Sequence, residues 1–157
     1  MKDHEGRIID FGRMAADYDQ YRPGFPDDFF IRLTNMGWCE PGQRALDLGT
    51  GTGTVALGLA AQGLRVVGLD IAPKLLDTAR RAAIARGLEV TFVDGRAEAT
   101  GFDDESFDLV CAGQAWWWFD SDAAATETAS LPGEAASSSA PSATYHCRET
   151  PPIAPRS

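Results

Sequence analysis

The sequence predicts an α/β fold in which a parallel sheet carries helices on both faces. Short apolar runs alternate with helical segments, a glycine cluster stands where the first run turns into a helix, and 157 residues leave room for one domain. Strands separated by helices of about a dozen residues need crossover connections, which are right-handed and cover both faces of the sheet.

Four strands and two connecting helices follow from the apolar pattern. The predicted strands are 44–48, 64–70, 88–93 and 107–112. A helix from Val55 to Gln62 follows the first strand. A second helix begins at Pro73, which suits a first helical position, and Gly87 stops it.

The residues before the first strand, 1–40, are predicted to form a helical region. Two helices are expected there, about Asp10 to Asp19 and about Pro26 to Met36. Pro23 stops the first of them, and Pro26 suits the first position of the second.

The composition changes near Asp120 and divides the chain into a core, 41–120, and a tail, 121–157. Of the 37 tail residues, 25 are Ala, Ser, Pro or Thr. Such a stretch buries too little apolar surface to offset its ordering entropy, so the tail is expected to be disordered.

Charge and composition exclude several classes of function. A net charge of -9 argues against a basic nucleic-acid surface. No apolar run approaches the roughly 20 residues that cross a bilayer, and no secretory signal opens the chain, so a cytoplasmic protein without membrane partners is expected. Three widely spaced cysteines and two histidines near the ends predict no metal site and no histidine-based mechanism; they are Cys39, Cys111, Cys147, His4 and His146.

The most informative segment is the glycine loop at 45–54, where the first strand meets the first helix. Gly49, Gly51 and Gly53 alternate with threonines, which lets the backbone turn tightly and lets a ligand lie against it. Residues 51–56 also satisfy the dinucleotide pattern G-x-G-x-x-A, with Asp70 at 19 residues beyond Gly51 as a ribose-binding acid. The loop alone therefore leaves two cofactors open.

Asp47, two residues before the first glycine, distinguishes them. A carboxylate there would repel a pyrophosphate and attract the ammonium of an amino acid, which favours S-adenosylmethionine over a nicotinamide dinucleotide. Residues 46–53 resemble the first motif of class I S-adenosylmethionine-dependent methyltransferases, and residues 66–70 resemble the second. The resemblance covers about residues 10–120 and implies a Rossmann-like fold.

The resemblance also implies a set of cofactor contacts. The loop would pack under the methionine and ribose, the acid after the second strand would hold the ribose hydroxyls, and the next residue would flank the adenine. The residues so implied are Asp47, Gly49, Thr50, Gly51, Gly53, Asp70 and Ile71. After the third strand Arg96 stands where this family commonly has Asp, so adenine recognition is expected from the backbone around Ala97 or from another side chain. A plain surface turn fits Arg96 and Glu98 equally well.

Two further segments are similar to a small-molecule subgroup of the same family. In the run 113–120, Gln114 and a tryptophan would line the mouth for methyl transfer, where an aromatic face stabilises a sulfonium, although the aromatics could equally roof the core. Near the N-terminus, Tyr18 and Arg22 match a lid that closes over the cofactor, although a packed helix and a loop arginine fit equally well.

The predicted function is therefore S-adenosylmethionine-dependent methyl transfer to a small molecule, with no base assigned. Two alternatives remain: an NAD(P)-binding oxidoreductase domain and a non-enzymatic cofactor-binding fragment. The family fold has seven strands and only four are found, so a frameshift or premature end near residues 125–130 is expected, with doubtful activity. The sequence does not predict the oligomeric state.

Overall fold

The computed structural model describes residues 24–113 and 115–133, and the backbone of 144–146. In chain order the elements are α1 (Asp27–Asn35), β1 (Arg44–Leu48), α2 (Thr54–Ala61), β2 (Arg65–Asp70), α3 (Pro73–Arg86), β3 (Val90–Asp94), β4 (Leu109–Ala112), a 3-10 turn (Trp116–Trp118), α4 (Ser121–Thr128) and β5 (Thr144–His146).

The sheet is parallel and has the order β3-β2-β1-β4-β5. The chain adds β2 and β3 on one side of β1 and then returns to place β4 on the other side. The predicted α/β fold and its four strands are confirmed, and the three-residue β5 extends the sheet beyond β4.

The boundaries of α3 show why the sequence forms these elements. Pro73 occupies the start of the helix, and Gly87 ends it in the left-handed conformation with φ 64°. Between them, Leu76, Ala79 and Ala83 recur at helical spacing and are buried against the sheet. Two apolar cores result, one on each face of the sheet.

Helix α1 covers the first face together with α2 and α3. The phenyl ring of Phe30 is 1% exposed and lies against Gly58, where an added Cβ would come within 2.2 Å of the ring. Pro26 is the N-cap of this helix, which therefore begins at Asp27, one residue later than predicted. The other helix expected in this region, about Asp10 to Asp19, lies outside the described residues.

The segment 121–133 differs from the predicted disordered tail. Helix α4 begins at Ser121, where the Asp120 carboxylate accepts a hydrogen bond of 3.2 Å from the backbone N–H of Ala123. Ala124 and Leu131 are buried in the second core at 0% and 1% exposure. Small residues therefore suffice to pack this helix on the sheet, which the composition argument did not allow for.

None of the helices in the described ranges combines the length and the apolar character that crossing a bilayer requires.

Candidate cofactor site

The candidate site lies at the carboxyl ends of β1 and β2, beside the point where the strand order reverses between β1 and β4. In open α/β sheets, ligands bind in the crevice at such a point. The segments that follow β1, β2, β3 and β4 all begin at this edge, and each carries predicted site residues.

The glycine loop uses each of its three glycines differently. All three have positive φ, 65° at Gly49, 57° at Gly51 and 87° at Gly53, a region that other residues rarely adopt. A Cβ on Gly49 would lie 2.5 Å from the Cβ of Ala115, and one on Gly53 would lie 3.0 Å from the Cβ of Ala79. At Gly51 no heavy atom of the described residues lies within 4 Å of an added Cβ, so this flank of the loop is open to a ligand.

Asp70, at the end of β2, holds the loop in place. One carboxylate oxygen accepts a hydrogen bond of 2.8 Å from the backbone N–H of Gly51, and the other accepts one of 2.9 Å from Ala72. Burial raises the pKa of Asp70, and the backbone N–H groups of Ala72, Gly51 and Ile71 oppose that shift. The predicted ribose-binding acid is therefore also the anchor of the glycine loop.

Asp47 lies at the carboxyl end of β1 and is 1% exposed. One of its carboxylate oxygens accepts a hydrogen bond of 2.7 Å from the Thr50 hydroxyl, and the Cys111 thiol contacts the other at 3.8 Å. Burial raises its pKa to about 7, against the lowering effect of Thr50 and of the Ala56 backbone N–H. A cation bound beside it would favour the charged form.

The segments after β2 and β3 form the far side of the site. Ile71 is half-buried, Ala97 is 3% exposed, and the Gly95 N–H donates to the Asp70 carbonyl at 3.1 Å. Arg96 lies outside this arrangement as an exposed side chain, 3.5 Å from a Glu98 oxygen.

Glu98 joins the segment after β3 to the segment after β4. Its other oxygen accepts a hydrogen bond of 3.0 Å from the backbone N–H of Asp120. Glu98 therefore lies in a turn, as the sequence left open, and this turn is linked to the residue before α4.

The aromatic run after β4 packs on the glycine loop. The rings of Trp116 and Phe119 meet edge to face with centroids 5.8 Å apart, and the Phe119 ring would lie 2.9 Å from a Cβ on Gly49. Trp118 is 38% exposed. The run therefore covers part of the core and also borders the crevice.

Three predicted site residues, Tyr18, Arg22 and Gln114, lie outside the described residues, and their roles stay predictions. The described part of the chain contains no group of three or more His, Cys, Asp or Glu side chains that could hold a metal ion.

Sequence reasoning missed the contact between Cys111 and Asp47. The two residues are register partners on β4 and β1. The sequence places each of them on a strand, but predicting their contact requires the pairing register of the two strands.

Comparison with known sequences identifies the family. The profile of the family described as "Methyltransferase domain" matches residues 46–130. A demethylmenaquinone methyltransferase of Thermus thermophilus is 54% identical over 81 residues, which are 50% of this chain and 37% of that protein. An uncharacterized methyltransferase of Mycobacterium tuberculosis is 36% identical over 123 residues, 77% of this chain and 46% of that protein. The chain spans less than half of the length of either relative.

Solved structures share the fold. YcgJ of Bacillus subtilis superposes with a TM-score of 0.60 at 29% identity, covering 66% of this chain and 45% of that one. A Methanococcus maripaludis protein described as an S-adenosylmethionine-dependent methyltransferase gives 0.69 at 20% identity, covering 80% and 61%, a likeness that shows the fold alone.

The matched profile includes the glycine loop, Asp70 and the run after β4, which are the segments that the structure brings together. This agreement favours the methyltransferase interpretation over the oxidoreductase that the G-x-G-x-x-A pattern left open. The chain belongs to the class I S-adenosylmethionine-dependent methyltransferases.

Proposed function

We propose that this chain binds S-adenosylmethionine against the glycine loop and serves in the transfer of its methyl group to a small molecule. The observation that carries the proposal is the link between Asp70 and Gly51, because it joins the two family motifs into one preorganised surface. The open flank at Gly51 gives the cofactor room to approach the backbone.

The two acids suit the two polar ends of the methionine–ribose portion. Each carboxylate oxygen of Asp70 accepts one backbone N–H and keeps a further lone pair for a ribose hydroxyl. Asp47 supplies a negative charge near the start of α2 for the methionine ammonium. Burial raises the pKa of Asp47 to about 7, and a bound cation would lower that pKa again.

The remaining residues would close the site around the adenine and the sulfonium. Ile71 and the backbone at Ala97 lie at the ends of neighbouring strands and fit the adenine edge, and Thr50 orients Asp47 through its hydroxyl. Trp116 borders the crevice from the β4 side.

The bound cofactor supplies an electrophilic methyl group, and its transfer is an in-line displacement that depends chiefly on alignment. The chain's own residues would fix the cofactor, exclude water and leave one approach to the methyl group. No base is assigned.

A small-molecule acceptor is supported by the names of relatives. Beside the demethylmenaquinone methyltransferase, a Zymomonas mobilis protein named as a ubiquinone/menaquinone biosynthesis C-methyltransferase is 34% identical over 106 residues, 62% of this chain and 43% of that protein. These names concern those proteins, and the acceptor of this chain is a proposal.

Calorimetric titration of the full 157-residue chain tests the cofactor assignment. We expect S-adenosylmethionine and S-adenosylhomocysteine to bind and NAD not to bind. Preference for NAD, or binding of neither S-adenosylmethionine nor S-adenosylhomocysteine by a chain that melts cooperatively, would overturn the proposal. A second assay with labelled S-adenosylmethionine and a panel of small acceptors tests methyl transfer directly: turnover above background supports the proposed reaction, and cofactor binding without turnover limits the support to the cofactor assignment.

A further inference from the structure

A second cavity, outside the proposed cofactor contacts, lies between α1, α2 and β4 and has a volume of about 280 Å³. We propose that it binds an uncharged, hydrocarbon-rich methyl acceptor, with the hydrocarbon part inside and the reacting end at the glycine loop. The inference rests on the proposed function, since it names the acceptor class for the same site.

The lining defines the class of ligand. Every described residue that lines the cavity is apolar, a glycine or a cysteine. Phe25 and Phe29 stack with ring centroids 4.8 Å apart, Phe29 and Phe30 meet edge to face at 5.2 Å, and Leu33 continues this wall along α1. A charged acceptor would lose its hydration here without gaining a partner, whereas a hydrocarbon gains by burial.

Two residues that line the cavity, Val55 and Gly113, place one of its ends at the first turn of α2, next to the glycine loop. A Cβ on Gly24, just before α1, would lie 2.4 Å from Thr54 Cγ2, and a Cβ on Gly113, just after β4, would lie 2.4 Å from Val55 Cγ2. Both approaches bring their segments to the first turn of α2, which begins directly after Gly53. This end of the cavity therefore adjoins the proposed cofactor contacts.

The rest of the cavity follows β4 away from that end. Its wall runs from Gly113 back to Leu109, a distance of about 13 Å along an extended strand. Cys111 lies midway, and its thiol contacts the Asp47 carboxylate that is proposed to hold the cofactor's ammonium. An elongated hydrocarbon in this cavity would thus lie beside the residues that are proposed to hold the methyl donor.

A series of 4-alkylphenols tests the proposal on the full chain by equilibrium dialysis. We expect affinity to rise by about fourfold per added methylene until the cavity is filled. In Leu33→Trp, which fills the cavity from α1, the rise should stop at a shorter tail, and the affinity for 4-octylphenol should fall by about tenfold or more. Ile31→Trp is the matched control, because Ile31 is 44% exposed on the same helix and lies outside the lining.

Two further measurements keep the test decisive. Titration with S-adenosylhomocysteine on the same samples separates the two proposals. If the unmodified chain does not bind S-adenosylhomocysteine, the proposed function itself is overturned. If S-adenosylhomocysteine binds while affinity is independent of tail length, or if both tryptophan variants bind 4-octylphenol equally, the cavity assignment is overturned. If Leu33→Trp does not melt cooperatively, Leu33→Ala replaces it. Because that change enlarges the cavity, the affinity should then keep rising up to longer tails than in the unmodified chain.

Discussion

The backbone N–H of Gly51 donates a 2.8 Å hydrogen bond to the carboxylate of Asp70, 19 residues further along the chain. The bond connects the loop after β1 with the end of β2. It gives one side chain two tasks, since the acid that would hold the ribose also fixes the surface on which the ribose would lie.

Replacing Asp70 by Ala should weaken S-adenosylmethionine binding by roughly 1.5 to 3 kcal/mol, because charge-assisted hydrogen bonds to the ribose are lost. Calorimetry on the two proteins measures the difference. Asp94→Ala is the matched control, since Asp94 is the register partner of Asp70 on β3 and its side chain is exposed. Equal affinities of Asp70→Ala and the unmodified chain would contradict the assignment.

The buried Asp47 should make the stability of the cofactor-free protein fall as pH rises. Its pKa in the folded chain is about 7, against an ordinary value of 3.8, so between these values the folded state retains a proton that the unfolded state releases. The resulting stabilisation is fully present below pH 3.8 and is lost as pH rises to about 7. Relative to Asp47→Asn, the free energy of unfolding should decline by about 1.4 kcal/mol per pH unit within that window.

Denaturant melts of both proteins at pH 5, 6 and 7 measure that difference. Asn keeps an oxygen for the Thr50 hydroxyl and cannot ionise, so other titrating groups cancel in the comparison. Parallel pH profiles would show that Asp47 is charged throughout and that its burial is offset by partners.

The glycine loop should tolerate substitution unequally. Ala at either Gly49 or Gly51 adopts a left-handed conformation, which costs roughly 1 to 2 kcal/mol. At Gly49 the new methyl also meets Ala115 and the Phe119 ring, whereas at Gly51 it enters open space. Thermal melts should therefore show Gly49→Ala as the less stable variant, and Gly51→Ala should lose more in cofactor affinity than in stability. The reverse order of stability would contradict this account of the loop.

Helix α1 should depend on Phe30 more than on its neighbour. Phe30→Ala removes a fully buried ring that packs on Gly58, and such losses cost about 3 to 5 kcal/mol. Phe29, which is half-buried, provides the matched comparison, and Phe29→Ala should cost clearly less. Chemical denaturation of the two variants measures both values, and similar losses would mean that α1 is not held through Phe30.

Much of the fold could be predicted from the sequence because its signals are local. Apolar runs mark the four strands β1 to β4, and Pro73 with Gly87 marks both ends of α3, within a residue or two of the structure. The glycine loop and Asp70 were equally predictable, since the spacing of both motifs follows from the chain itself.

Features that depend on contacts between distant segments were not predictable in this way. Composition suggested disorder from Ser121, yet α4 packs because Ala124 and Thr128 are small enough to be buried completely. The contact of Cys111 with Asp47 depends on the register of β4 against β1. Likewise, nothing local to Gly49 indicates that Ala115 will lie against it.

The hydrogen bond from the Asp120 N–H to Glu98 also bears on dynamics. It ties the turn after β3 to the residue that caps α4, so any separation of these two segments has to break this bond. The Asp120 amide proton consequently serves as a native spectroscopic reporter, whose exchange rate with solvent records the separation of these two segments without any introduced label.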